Sequence, residues 1–243
     1  MKKYRKIRWD RVGLIVGIII LLVAFFVYRG IDKKEKKSYS KAVDSKPIVQ
    51  EKKYIVALDP GHGGYDPGSS SETGVLEKDL TLDIALKVGK MLEEENIKVV
   101  YTRTSDKVSW VDDNVEDLYT RCKIANENKA DVFVSIHMNF IEEMQDEIYG
   151  SEVWYSSSNP GGEKLATVME KSLKEDNYTE SRGIRNDAES PVYIFYGSKM
   201  PTILIETGFI SNKKDMRVIN SKQGQERIAR AIKEGILNYL KTK

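Results

Sequence analysis

Short runs of consecutive apolar residues alternate along this chain with longer stretches whose apolar positions recur every three to four residues. Residues 54–58 (YIVAL), 97–102 (IKVVYT), 132–136 (VFVSI), 151–155 (SEVWY) and 202–205 (TILI) are dense in β-formers and predict strands. Helical spacing starts near Glu77 and joins Leu80, Ile84, Val88, Met91 and Leu92; it links Leu118, Cys122 and Ala125 within 116–128. It returns after Pro160 in Leu165, Val168, Met169 and Leu173, with Asn159 as the expected N-cap. A last helix is predicted from about Gly224 to Leu240, with Ile228, Ile232, Ile236 and Leu240 on one face. Residues 192–195 read as a short strand or edge, and 66–74 and 108–115 as loops. Short continuous strands separated by helices predict a single α/β domain over residues 53–243, with a largely parallel central sheet flanked by helices.

The first fifty residues follow a different pattern. Residues 12–28 (VGLIVGIIILLVAFFVY) are 17 residues without a charge, roughly 25 Å of helix, at the short end for a bilayer span. Apolar character on every side predicts a transmembrane signal anchor behind a basic segment, 1–11. No small-x-small site follows, so the anchor is expected to stay uncleaved. Residues 29–52 are polar and charged, without apolar periodicity, and predict a solvated linker.

Charge sharpens this division. Residues 1–52 carry 14 basic and 5 acidic side chains, whereas 53–243 carry 25 and 32. The net acidity of the globular part disfavours a nucleic-acid partner. Basic residues flank the apolar stretch on both sides, so the positive-inside rule favours a cytoplasmic N-terminus only slightly. The lone Cys122 can form no intrachain disulfide.

Candidate chemistry gathers where strands end. His62 and His137 are the only histidines in the 243 residues, and each follows an apolar run; Glu206 follows a third. In open α/β sheets, sites form beyond the carboxyl ends of strands, so three neighbouring strands would bring these side chains together. His62 lies in a glycine-rich loop, DPGHGG, that admits a bulky group close to the backbone. Two imidazoles suit zinc, and a catalytic zinc needs a third protein ligand, here a carboxylate. Asp59, Asp66, Glu72, Glu77 and Asp79 are candidates; Glu77, where loop becomes helix, is favoured. Glu206 can then act as general base. No GK[ST] or GxGxxG supports a nucleotide site, and no GxSxG elbow a serine hydrolase.

The segments LDPGHGGYDPG (58–68), LEKDLTL around Glu77, SIHMN (135–139) and IETGFISN (205–212) resemble, in order and spacing, the zinc-dependent N-acetylmuramoyl-L-alanine amidases of the Amidase_3 type. The resemblance covers essentially 54–240. It implies an α/β fold with a twisted, mostly parallel sheet, and hydrolysis of the amide between N-acetylmuramic acid and L-alanine in peptidoglycan. It also implies His62, Glu77 and His137 as zinc ligands and Glu206 as the catalytic glutamate. Arg103, Arg121 and Asn139 match family positions, and Arg121, Asn139 and Arg185 are expected to face substrate; Arg182 and Arg185 could meet stem-peptide carboxylates. Residues 140–150 are too short for the helical plug that blocks the zinc in some members. A short anchored amidase without wall-binding repeats is similar to the germination-specific amidases of endospore formers, acting on spore cortex. The expected location is the cell membrane, single-pass, with the domain on the outer face and possible dependence on an activating partner protein. A zinc peptidase cutting within the stem peptide, or a non-catalytic envelope binding protein, are the alternative readings.

Overall fold

The computed structural model describes residues 23–27, 29 and 54–243, without 109, 111, 144 and 189. The chain divides between residues 50 and 51. Of the first part, residues 23–27 and 29 are helical, and Val23, Phe25, Phe26 and Val27 are exposed. Among the described residues no helix is long and apolar enough to cross a membrane. Most of the predicted anchor, residues 12–22 and 28, and nearly all of the predicted linker lie outside the described residues.

The second part alternates strands and helices. In chain order these are β1 (Ile55–Pro60), α1 (Glu77–Glu94), β2 (Lys98–Tyr101), α2 (Asn114–Glu127), β3 (Val132–Asn139) and β4 (Ser151–Tyr155). Then follow α3 (Gly162–Asp176), β5 (Ser181–Asn186), α4 (Ile194–Gly197), β6 (Thr202–Phe209), α5 (Lys213–Ile219) and α6 (Lys222–Leu240). The strands form one mixed six-stranded sheet in the order β2-β1-β3-β6-β4-β5. Every pairing is parallel except β4 with β6.

The sheet is covered on both faces, which is why its central strands read as unbroken apolar runs. Val56, Leu58, Val132, Val134, Ile203 and Ile205 pack with residues of α1, α3 and α6 in the larger core. Ala57, Phe133 and Leu204, one position out of phase, pack with Cys122 and Ala125 of α2 and Ile194 and Phe195 of α4. Side chains alternate along a strand. Continuing the second set toward the strand ends therefore puts Asp59, Ser135, His137, Glu206 and Glu152 on the α2–α4 face.

Four local expectations are corrected. Residues 192–195 were expected as strand or edge, but turn bonds from Phe195 N–H to Val192 C=O (3.2 Å) and Tyr196 N–H to Tyr193 C=O (3.1 Å) start α4 instead. Its Ile194 and Phe195 are buried in the smaller core, and a short apolar run cannot reveal which element buries it. Asn159 is not the N-cap of α3; that position is Gly161. The Asn159 side chain instead donates to Met200 C=O (2.9 Å) and accepts from Thr202 N–H (3.0 Å), pinning the start of β6. β5 (SRGIRN) and α5 were not foreseen. β5 is an edge strand without apolar alternation, and α5 is seven residues long, capped by Asn212.

The strand ends are held by a buried polar cluster. Asp59, 1% exposed, accepts from Thr102 Oγ1 (2.6 Å), Ser135 Oγ (2.6 Å) and Arg121 Nη1 (2.7 Å). Arg121 also donates to the carbonyls of Pro60 (3.0 Å) and His62 (2.8 Å) and, through Nε and Nη2, to Asp117. Those contacts use all five guanidinium N–H groups. Arg121, expected to face substrate, lines the cavity beside His62 with all of its donors committed to the scaffold. Arg103 is likewise buried and donates to the carbonyls of Pro60 (3.0 Å), Gly61 (2.9 Å) and Lys78 (2.8 Å).

Burial pushes the Asp59 pKa up, but the charge of Arg121 and the hydroxyls of Ser135 and Thr102 outweigh it and hold the carboxyl below its ordinary value. A depressed carboxylate stabilises the fold fully above its unfolded pKa of about 3.9 and loses that contribution as pH falls through the lowered value. Removing Arg121 leaves Asp59 buried without its cation. Arg121→Ala is expected to lower stability by about 3–5 kcal/mol at neutral pH; urea unfolding checks this, and a loss under 1 kcal/mol would refute the role.

Candidate metal centre

The turn after β1 brings His62 to the sheet edge in a left-handed conformation (φ 61°). His is among the residues that tolerate this region better than most. His62 Nδ1 donates to Asp66 Oδ2 at 2.7 Å, which orients the ring and turns Nε2 toward Glu77 and His137. Asp66 was one of the carboxylates considered as third ligand; it orients the ligand instead.

Glu77 opens α1 and is almost fully buried. Its Oε2 accepts from Ser69 N–H and its Oε1 from Met138 N–H, both at 2.9 Å. The positive end of the helix favours the ionised carboxylate there. Burial acts to raise the Glu77 pKa, yet hydrogen bonds and charges of His137 and His62 bring it well below the ordinary value. Among the other carboxylates considered, Asp59 is taken by Arg121, Glu72 pairs with Lys213 at 3.4 Å, and Asp79 is exposed.

β1, β3 and β6 are adjacent, so His137 arrives beside His62 and opposite Glu206 in register. His62 Nε2, His137 Nδ1 and Glu77 Oε1 lie 3.1–3.2 Å from one another. These are the residues that could hold a metal ion. Tetrahedral bonds of about 2.0–2.1 Å imply ligand–ligand edges of about 3.3–3.4 Å, so the donor set fits with small adjustment. The glycines make room for it. A Cβ at Gly61 would lie 2.3 Å from His137 Cε1, and one at Gly68 would lie 2.6 Å from His62 Cδ2.

Glu206 completes the site without joining the ligand set. Its Oε2 is buried with no hydrogen-bond partner. Burial raises its pKa well above the ordinary value, and the negative charges of Glu77 and Glu152 add to the shift. Glu152, which the sequence reading did not pick out, lies opposite Glu206 on β4. It is itself buried and accepts from Arg182 Nε at 2.6 Å, with Arg185 Nη2 at 3.8 Å and Asn139 Nδ2 at 3.5 Å. Its signal was available, since a Glu at the start of an apolar run falls on a definite face, but only the antiparallel β4–β6 register shows that the face is this one. Residues 140–150 contain no helix among the described residues.

Two outcomes follow from this geometry. Burial lowers the His62 pKa, but the bonds to Asp66 and Glu77 outweigh it and raise it to about 10. Metal binding needs the neutral ring, so one proton should leave per Zn2+ bound at neutral pH, and affinity should rise with pH. Calorimetric titration in buffers of different ionisation enthalpy counts the proton; a count of zero would exclude His62 as ligand. Gly61→Ala should displace the His137 ring and weaken Zn2+ binding by about 10–100-fold, read by competition with a chromogenic chelator.

The profile described as Amidase_3, N-acetylmuramoyl-L-alanine amidase, matches residues 56–238. The germination-specific N-acetylmuramoyl-L-alanine amidase of Bacillus subtilis (strain 168) is 30% identical over 246 residues, spanning 98% of this chain and 97% of that protein. Among solved structures, the amidase AmiC2 of Nostoc punctiforme is 34% identical with a TM-score of 0.69, covering 77% of this chain and 97% of that one. The CwlD amidase of Clostridioides difficile, solved in complex with the GerS lipoprotein, is 32% identical with a TM-score of 0.70, covering 78% and 100%. The chain therefore belongs to the Amidase_3 family of N-acetylmuramoyl-L-alanine amidases.

Proposed function

We propose that this amidase is a membrane-anchored zinc enzyme that hydrolyses the bond between the lactyl group of N-acetylmuramic acid and L-alanine in peptidoglycan, acting in spore-cortex maturation. The observation that carries the reading is the placement of Glu206, whose buried Oε2 has no hydrogen-bond partner, in register with His137 of a His–Glu–His cluster at ligand spacing. His62, Glu77 and His137 would hold the ion. A zinc ion bound there supplies Lewis-acid polarisation of a carbonyl and makes water acidic near neutral pH.

The chain's own contribution is proton handling. Glu206 takes a proton from water as the water oxygen bonds to the lactyl carbonyl carbon. It returns that proton to the departing amine of L-alanine as the C–N bond breaks. A carboxylate with raised proton affinity suits a group that must hold the proton between the two steps. Asn139, at the end of β3, and Arg185, on β5 beside Glu152, are read as substrate contacts. In support, Arg182 and Arg185 share one carboxylate and are about one third exposed, leaving positive potential for the acids of a stem peptide.

The apolar stretch 12–28 anchors the chain in this reading, with the domain on the outer, wall-facing side. Its 17 uncharged residues and a substrate that lies outside the membrane support it, as does a B. subtilis relative that aligns over nearly the whole chain. A protein partner is part of the proposal, because the CwlD relative was solved with a lipoprotein.

Full-length protein loaded with Zn2+ and given intact peptidoglycan should release stem peptides with free L-alanine amino termini, detected by mass spectrometry. Glu206→Gln should retain one zinc per chain and lose about 10²–10⁴-fold in kcat. Cuts within the stem peptide would reassign the chain as a peptidase, and full activity in the Gln variant would remove Glu206 from the mechanism.

A further inference from the structure

The edge of the sheet is chemically different on the two sides of Glu206. On one side, in strand order, come Glu152 on β4 and Arg182 and Arg185 on β5, a charged and partly exposed group. On the other side a cavity of about 550 Å³ runs from His62 and His137 to the α2–α4 layer. That volume is typical of small-molecule sites, which span about 300–1,000 Å³.

The lining of the cavity selects for a neutral, polyhydroxylated ligand. One wall is apolar: Leu118 of α2, Leu204 of β6, and Val192, Tyr193 and Ile194 at the start of α4. The lining also holds polar groups, Tyr65, Asp66, Asn114 and Asp117: the carboxylates accept hydrogen bonds, and the hydroxyl and the amide both donate and accept. Among the described lining residues the one permanent cation is Arg121, and its five donors are consumed by protein acceptors. A carboxylate entering here would meet Asp66 and Asp117, with only neutral donors such as the Asn114 amide to set against them.

At the mouth stands an aromatic ledge. Tyr193 is 68% exposed and Tyr196 is 59% exposed, their rings edge-to-face with centroids 6.2 Å apart. Large exposed aromatic groups beside a cavity mark binding surface more often than spare area. The apolar C–H face of a pyranose ring matches such a ledge, while its hydroxyl and acetamido groups match the polar groups of the lining.

The scissile bond joins a neutral sugar to an anionic peptide, and the two halves of the site have those two characters. We propose that the cavity between the metal centre and α4 is the glycan subsite, with Tyr193 as the stacking platform for the N-acetylmuramoyl ring. The stem peptide then leaves over Glu152 and Arg185. This assignment rests on the amidase reading and adds a direction to it: the glycan strand lies toward β1 and α4, the peptide toward β5.

The test uses full-length zinc-loaded protein, soluble glycan strands from which the peptides have been removed, and free stem peptide, with binding followed by calorimetry. Wild type should bind the glycan strands. Tyr193→Ala should weaken that binding about 3- to 10-fold and raise KM on intact peptidoglycan by a similar factor, with kcat within about twofold. Tyr193→Phe, which keeps the ring, should retain both, and stem-peptide binding should not change in either variant. Tyr193 is exposed, so its loss should not disturb folding; equal zinc content in wild type and variants checks this. Unchanged glycan affinity and KM in Tyr193→Ala, or no glycan binding by wild type, would overturn the subsite. Loss of peptide rather than glycan binding would reverse its direction. Glycan binding that depends on Tyr193 in a protein releasing no L-alanine-terminated peptide would uphold the subsite and refute the amidase reading.

Discussion

The carbonyls of Pro60, Gly61 and His62 set the problem that the surrounding structure answers. These residues leave the sheet in a turn with left-handed backbone, so their carbonyls lack the regular ladder partners that β1 has, and buried carbonyls must be paired. Two arginines answer, Arg103 through the carbonyls of Pro60 and Gly61 and Arg121 through those of Pro60 and His62. Guanidinium groups at this depth need counter-charge. Asp59 and Asp117 provide it for Arg121, and Asp59 is in turn held by hydroxyls from β3 and from the end of β2. One loop is thereby tied to two strands and one helix, and the orientation of His62 depends on all of them.

That scaffold explains how the same edge can hold both an organised ligand set and an unsatisfied carboxylate. Glu77 is fully occupied by two backbone N–H groups and two imidazoles. Glu206, in register with His137 on the neighbouring strand, is left with an oxygen that nothing bonds and feels the charges of two other carboxylates. A buried polar atom without a partner is costly. The cost is tolerable here because the strand that carries it is locked on both sides, by β3 and by β4. Glu152 differs in having two arginines and an amide within reach.

Much of the site could be read in advance because its residue types are rare or sharply placed. Two histidines in 243 residues, each after an apolar run, leave few arrangements to consider. Glu77 could be preferred among five carboxylates from its position at a helix start, and Asp66 could be noticed but not understood. Arg121 carries a scaffold role that the sequence did not reveal, for a physical reason. A helical arginine looks the same in sequence whether it reaches solvent or spends five donors on a buried loop. The elements that escaped prediction were those with little apolar periodicity, edge strand β5 and short helix α5, while α4 was taken for a strand because four residues show no period.

The sequence by itself determined the α/β alternation and the strand and helix faces, and it singled out His62, Glu77 and His137, the residues that could hold a metal ion. Those follow from local hydrophobic period and from side-chain chemistry at strand ends. Only the tertiary structure decided which strands are neighbours, that β4 runs against β6 and so sets Glu152 opposite Glu206, and which charged residues are buried supports. It alone shows the cavity on one side of the site and the arginines on the other. Strand order and register arise from contacts between residues tens of positions apart, and no local pattern encodes them.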